Sequence, residues 1–129
     1  MKARYQIGLA GAALVLAFGA AKIGELRAQA KPAAYVVIDI SEMKDVDAYV
    51  KAVSAAEPQA TESAGGRFIV RTNAPVGLDG APPNRFVMIG FDNAARAKSW
   101  YQTEAIKKIN AVRMQVARSR AFMVEALEK

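Results

Sequence analysis

The sequence predicts an α+β fold of the ferredoxin-like type: a β-α-β-β-α-β plait whose four-stranded antiparallel sheet carries its helices on one face. Three observations lead there. Four short runs, at 33–41, 67–72, 85–91 and 120–127, are dense in β-branched and aromatic residues. Two longer stretches, 45–64 and 92–119, repeat apolar residues at helical spacing. The middle two strands are joined by loop alone, while each outer pair brackets a helical stretch. That duplicated βαβ order defines the plait.

"AAYVVIDIS" (33–41) is the clearest strand. In the helix that follows, Asp45 suits the cap, Asp47 suits the positive end of the dipole, and Val46, Tyr49, Val50 and Val53 form the apolar stripe. Pro58 lies inside this pattern and is expected to kink the helix or divide it. Gly65-Gly66 stops it. "RFIVRT" (67–72) is the second strand, and the proline- and glycine-bearing 73–84 is loop. "RFVMIGF" (85–91) is the third strand. Asp92 then caps one helical segment and Thr103 a second, whose stripe is Ile106, Ile109, Val112 and Val116. "RAFMVEAL" (120–127) closes the sheet.

Side chains alternate across a strand. Val36, Ile38 and Ile40, with Phe68 and Val70, therefore form the helix-facing set. Tyr35, Val37 and Asp39, with Arg67, Ile69 and Arg71, fall on the opposite face. Strand three stays open between Phe86/Met88/Gly90 and Arg85/Val87/Ile89/Phe91, and strand four between Phe122/Val124/Ala126 and Ala121/Met123/Glu125. The second face mixes Val37, Ile69 and Val87 with Tyr35, Asp39, Arg67, Arg71 and Glu125. A homodimer packed face to face would cover it, with guanidiniums meeting Asp39 and Glu125. One arginine left over would then suit an anionic ligand.

The 129 residues make one domain. Without cysteine or histidine, the chain excludes disulfides, thiolate chemistry and the commonest base and metal ligand. No phosphate-loop, dinucleotide or metal-spacing motif is present, so neither cofactor nor metal is expected. Lys2 and Arg4, an apolar run from Ile7 to Ala21 and the small-x-small "AQA" at 28–30 read as a secretory signal. The run is about 22 Å long, short of a bilayer core of about 30 Å. Cleavage after Ala30 is expected, leaving 31–129 as the mature domain. The alternatives are cleavage after Ala21 and an uncleaved anchor, which would be the chain's sole membrane attachment. Residues 1–30 hold four basic residues and one acidic residue, so the formal charge falls from +6 to +3. That mild charge gives no reason to expect nucleic acid as a partner, and the protein is expected in the periplasm or outside the cell.

"AYVVIDI", the Tyr49 helix, "AGGRFIVR", Asp79-Gly80, "PNRFVMIGFDN", "AKSWYQTEAIKKINAVR" and "AFMVEAL" follow one another in an order and spacing that resembles family 1330 of the domains of unknown function. This is a branch of the dimeric α/β-barrel superfamily. Two positions depart from its usual pattern: "RTN" replaces Arg-Gly-Gly, and Ala105 replaces an aromatic. The resemblance implies a ferredoxin-like dimer and no particular reaction.

Ligand-binding candidates are Tyr35, Asp39, Arg67, Arg71, Trp100, Tyr101 and Arg113. Trp100 and Tyr101 are adjacent, so they point to different sides of a helix, one into the core and the other over a pocket. Arg113 borders the apolar stripe, in the place of a snorkelling rim residue. Two functions fit. One is a dimer that binds or transforms a small anionic organic molecule, with Asp39 as a base. The other is a non-catalytic accessory or stress-related dimer whose charges only make the interface.

Overall fold

A computed structural model describes residues 31–128, so the expected signal segment at 1–30 lies outside the described residues. The elements run β1 (Ala34–Met43), α1 (Val46–Ser63), β2 (Arg67–Thr72), β3 (Arg85–Phe91), α2 (Ala94–Tyr101), α3 (Glu104–Val116) and β4 (Ala117–Glu125). The sheet order is β2-β3-β1-β4, with every neighbouring pair antiparallel. This is the ferredoxin-like α+β plait.

The helix-covered face is written in the registers. Ala34, Val36 and Ile38 of β1 lie opposite Phe91, Ile89 and Val87 of β3, and all six are buried in one core. The same face of β4 brings Met123 opposite Val36 and Ala121 opposite Ile38. Tyr49, Ala97, Trp100, Ile106 and Ile109 close the core from the helices. Strand three thus takes its Arg85/Val87/Ile89/Phe91 parity inward. Val87 belongs to the core rather than to the outer face, and Glu125, opposite Ala34, lies on the helix-side parity too.

Four local expectations need correction. Of the two expectations for Pro58, division is the one not met, since α1 runs unbroken from Val46 to Ser63. Pro58 and Ser54 are both exposed, so the carbonyl deprived of its i+4 donor faces water. The cap of α2 is Asn93, whose Oδ1 accepts from the Arg96 backbone N–H at 2.8 Å, rather than Asp92. Thr103 stands at the cap position of α3 without a side-chain capping bond, and its hydroxyl donates instead to the Trp100 carbonyl at 2.8 Å. The last strand starts at 117, earlier than its composition suggests. Residues 117 and 118 pair with Met43 and Glu42 beyond a bulge near Ser41, so strand hydrogen bonding overrides the helical pattern there. Asp45 caps α1 as expected, accepting from Ala48 N–H at 3.0 Å.

Candidate functional site

The second strand does not keep its alternation. Phe68 lies opposite Ile89 and Val70 opposite Met88, which leaves Ile69 as an extra residue, a β-bulge. Arg67, opposite Gly90, stays on the outer face. Beyond the bulge the parity reverses, and Arg71 lies opposite the core residue Val87. Its guanidinium sits 4.6 Å from the centroid of the Phe68 ring, on the helix side. The expectation that Arg67 and Arg71 share a face is therefore wrong. Even spacing places two side chains together only in an unbulged strand.

Nor does either arginine hold Asp39. β3 lies between β2 and β1, so the neighbour of Asp39 is Arg120 on β4, directly opposite in the register. Arg120 donates from Nη2 at 3.1 Å and from Nε at 3.3 Å to Asp39 Oδ2. Asp39 lines an open groove on the outer side with Ser41, Ala81, Pro82, Arg118 and Arg120. Tyr35 is on the same outer face, opposite Gly90 and Val124.

The structure concentrates its polar chemistry on the other side of the sheet. Tyr49 and Glu57 project inward from α1, 4% and 6% exposed, and Arg113 of α3 is 3% exposed. These three, with Ile38, Trp100, Ile106, Ile109 and Asn110, line a narrow cavity of about 10 Å³. That is close to the space one water needs. Tyr49 also forms a wall of a wider cavity of about 320 Å³, completed by Ile40, Met43, Val46, Val50, Asn73, Asn84 and Arg85. Arg113 is thus an interior residue and not a rim residue. Its Nη1 donates to Ser119 Oγ at 2.7 Å and its Nη2 to Asn110 Oδ1 at 3.2 Å. Arg85 donates from Nη1 to Asn73 Oδ1, and its guanidinium carbon lies 5.9 Å from the Tyr49 ring centroid.

Charge in this interior is unevenly matched. Burial pushes the Glu57 carboxyl above its usual range, and the guanidiniums of Arg85, Arg71 and Arg113 pull it back part of the way. Burial, and then the charge of Glu57, raises the Tyr49 phenol, while Arg85 and Arg113 oppose the rise. Three guanidiniums thus act on one carboxyl through space, and of the three Arg113 shares a cavity with it. Among the described residues, the buried side-chain nitrogens lacking any hydrogen-bond partner are Nε of Arg85 and Nε of Arg113.

Of the residues the sequence singles out, Arg71 and Arg113 lie on the helix side of the sheet, Arg113 beside Glu57 in the narrow cavity, while Tyr35, Asp39 and Arg67 lie on the other face. Trp100 is buried, with its indole N–H donating to Thr61 Oγ1 at 3.1 Å and its ring 5.4 Å from that of Phe91. Tyr101 turns outward and lines a separate cavity of about 220 Å³ with Val36, Ala97, Lys98, Gln102 and Phe122. Glu57 and Arg85 are site residues that sequence reasoning missed. Both carry a readable signal: Glu57 continues the Tyr49–Val53 stripe by four residues, and Arg85 shares the inward parity of Val87, Ile89 and Phe91. Among the described residues no cluster of acidic side chains is arranged to hold a metal.

Solved structures share the architecture. A protein of unknown function from Rhodopseudomonas palustris is 15% identical, with a TM-score of 0.56 over 83% of this chain and 92% of its own. An ethyl tert-butyl ether D (EthD) family protein from Bacillus halodurans is 12% identical, with a TM-score of 0.55 over 74% of this chain and 99% of its own. A NIPSNAP family protein of unknown function from Agrobacterium tumefaciens is 15% identical, with a TM-score of 0.50 over 74% of this chain and 89% of its own. At such identities the likeness is one of fold, the ferredoxin-like α+β plait. No curated protein matches the chain. The profile of one family matches residues 33–127, from the first strand to just past the last, and the chain belongs to that family, described as a domain of unknown function (DUF1330).

Proposed function

We propose that this protein binds a small organic anion with an apolar body in the cavity between α1 and the start of β3. The observation that carries this reading is the buried, unpartnered Nε–H donor of Arg85, which lines that cavity. A buried donor left without an acceptor typically costs about 1–3 kcal/mol, and more when it is charged. Such donors therefore mark a place where an acceptor belongs. A carboxylate at Arg85 supplies that acceptor, while Met43, Val46 and Val50 offer apolar surface to the rest of the molecule. The volume of about 320 Å³ lies at the small end of ligand pockets, which start at about 300 Å³.

Benzoate, phenylacetate and hexanoate are suitable probes. A ligand that binds only the folded state at a hundred times its Kd stabilises by about 2.7 kcal/mol. At least one of the three should raise the melting temperature of the wild type, and the rise should vanish in Arg85→Met. An equal rise in the variant, or none in the wild type at tens of millimolar, would reject the reading.

The outer face supports a homodimer, and the N-terminal 30 residues support export. Ile69, Val70, Phe122 and Val124 leave 36–45% of their surface exposed beside the Asp39–Arg120 pair. A second copy would cover them. Because Asp39 is already paired within its own protomer, the partner's contribution there is apolar contact rather than a missing charge. Native mass spectrometry of the protein recovered from the periplasm should give twice the protomer mass. Its denatured form should begin at Lys31. A monomer at micromolar concentration would remove the first proposal, and a full-length chain held in membranes the second.

A further inference from the structure

We infer that Asn73 is a positioning residue for the anion site: it holds Arg85 by one corner, so that the opposite edge of the guanidinium receives a carboxylate side-on. The inference rests on the anion reading and goes beyond it, because it names the binding geometry and the residue that sets it.

The strand register brings the two side chains together. β2 and β3 pair Arg71 with Val87 and Thr72 with Phe86. One step further along the same ladder, just past the end of β2, Asn73 comes beside Arg85. The Thr72 hydroxyl fixes the chain there by accepting from the Ala74 backbone N–H at 3.0 Å. Asn73 and Arg85 line the same wide cavity, and a hydrogen bond joins them, from Arg85 Nη1 to Asn73 Oδ1.

Covalent geometry supplies the rest. In the planar guanidinium, Nε–H and one N–H of Nη2 point the same way from one edge, while Nη1 lies at the far corner. A bond at Nη1 therefore pins the group without occupying that edge, and Nε on the edge is the buried donor that has no acceptor among the described residues. Two parallel N–H groups match the two oxygens of a carboxylate. The chain uses the same edge elsewhere, where Arg120 reaches Asp39 through Nε and Nη2. An arginine that is not pinned must be immobilised when the ligand arrives, which weakens binding by roughly two- to tenfold per side chain. Asn73 immobilises Arg85 beforehand. Its carboxamide is uncharged, so it does so without neutralising the guanidinium.

Isothermal titration of the purified protein with benzoate, phenylacetate and hexanoate tests this, beside the melting temperatures of the free proteins. Asn73→Ala releases the far corner and should weaken whichever acids bind by about two- to tenfold. Asn73→Asp keeps an acceptor at Nη1 but adds a negative charge, and should weaken them by more than about tenfold. Asn73 is exposed, so neither change should lower the melting temperature of the free protein by more than about 4 °C. In nitrogen-edited spectra of the wild type, the Arg85 Nε–H signal should move downfield as the acid is added. Unchanged affinity in either variant, with binding still abolished by Arg85→Met, would overturn the inference and leave the anion site standing. So would an acid that binds without moving the Nε–H signal, because it is not held side-on. Lost affinity together with a larger fall in melting temperature would make Asn73 a prop of the fold and would equally reject it. Absence of binding by all three acids would reject both readings.

Discussion

Replacing Trp100 with alanine is expected to lower the stability of the domain by about 3–5 kcal/mol, the usual range for emptying a large aromatic site in a core. Trp100 is 1% exposed and touches the ring of Phe91. It also provides the donor for Thr61 Oγ1, a hydroxyl with 0% exposure. The truncation therefore combines lost packing with a stranded polar group. For a domain of this size each kcal/mol moves the melting temperature by roughly 4–8 °C, so the fall should exceed about 12 °C. Trp100→Phe separates the two contributions: it keeps most of the ring and loses the hydrogen bond, and should cost about 1–2 kcal/mol. Thermal unfolding followed by circular dichroism measures both. An alanine variant within 1 kcal/mol of wild type would show that the indole does not tie α2 to α1.

The second large effect is expected from Arg113→Met, and it should depend on pH. The substitution removes charge-assisted bonds to Ser119 and Asn110 and one of the three guanidiniums that oppose the desolvation of Glu57. Losses of this kind come to roughly 3 kcal/mol. Without Arg113, the folded-state carboxyl of Glu57 moves further above its unfolded value. A carboxyl raised by folding binds more protons in the native state. Its contribution is favourable below the unfolded value and is lost as pH rises through the folded one. The variant should therefore fall further behind wild type at pH 8 than at pH 5. In the double variant with Glu57→Gln that widening should disappear. Urea titrations at the two pH values test the difference, and a deficit independent of pH would mean that Arg113 does not act on Glu57.

The plait was legible because its signals are local. β-branched runs, Asp45 as a cap and the Gly65-Gly66 stop each act within a few residues. The inward parity of Val36, Ile38 and Ile40 needed only the alternation rule. The site was less legible because it depends on relations between elements. That Asp39 meets Arg120 follows from β4 lying beside β1, which spacing within either strand does not reveal. Arg113 looks like a rim residue on its own helix. It is interior because Ser119 and Asn110 take two of its nitrogens and α1 brings Glu57 to face it. Glu57 itself lies on a stripe that was readable as far as Val53, where Pro58 just beyond argued for a break that does not occur.

The extra residue at Ile69 also bears on how this strand can change over evolutionary time. Substitutions alter one side chain at a time, but a one-codon deletion at position 69 would remove the bulge and leave the pairs Phe68–Ile89, Val70–Met88 and Arg71–Val87 as they are. An insertion at the same place would instead turn everything after it over, sending Arg71 to the outer face and Val70 toward the helices. Losing a codon there is a nearly silent step, whereas gaining one exchanges a charge between the two sides of the sheet. The number of residues paired between Phe68 and Arg71, rather than the number present, determines which side of the sheet the second arginine serves.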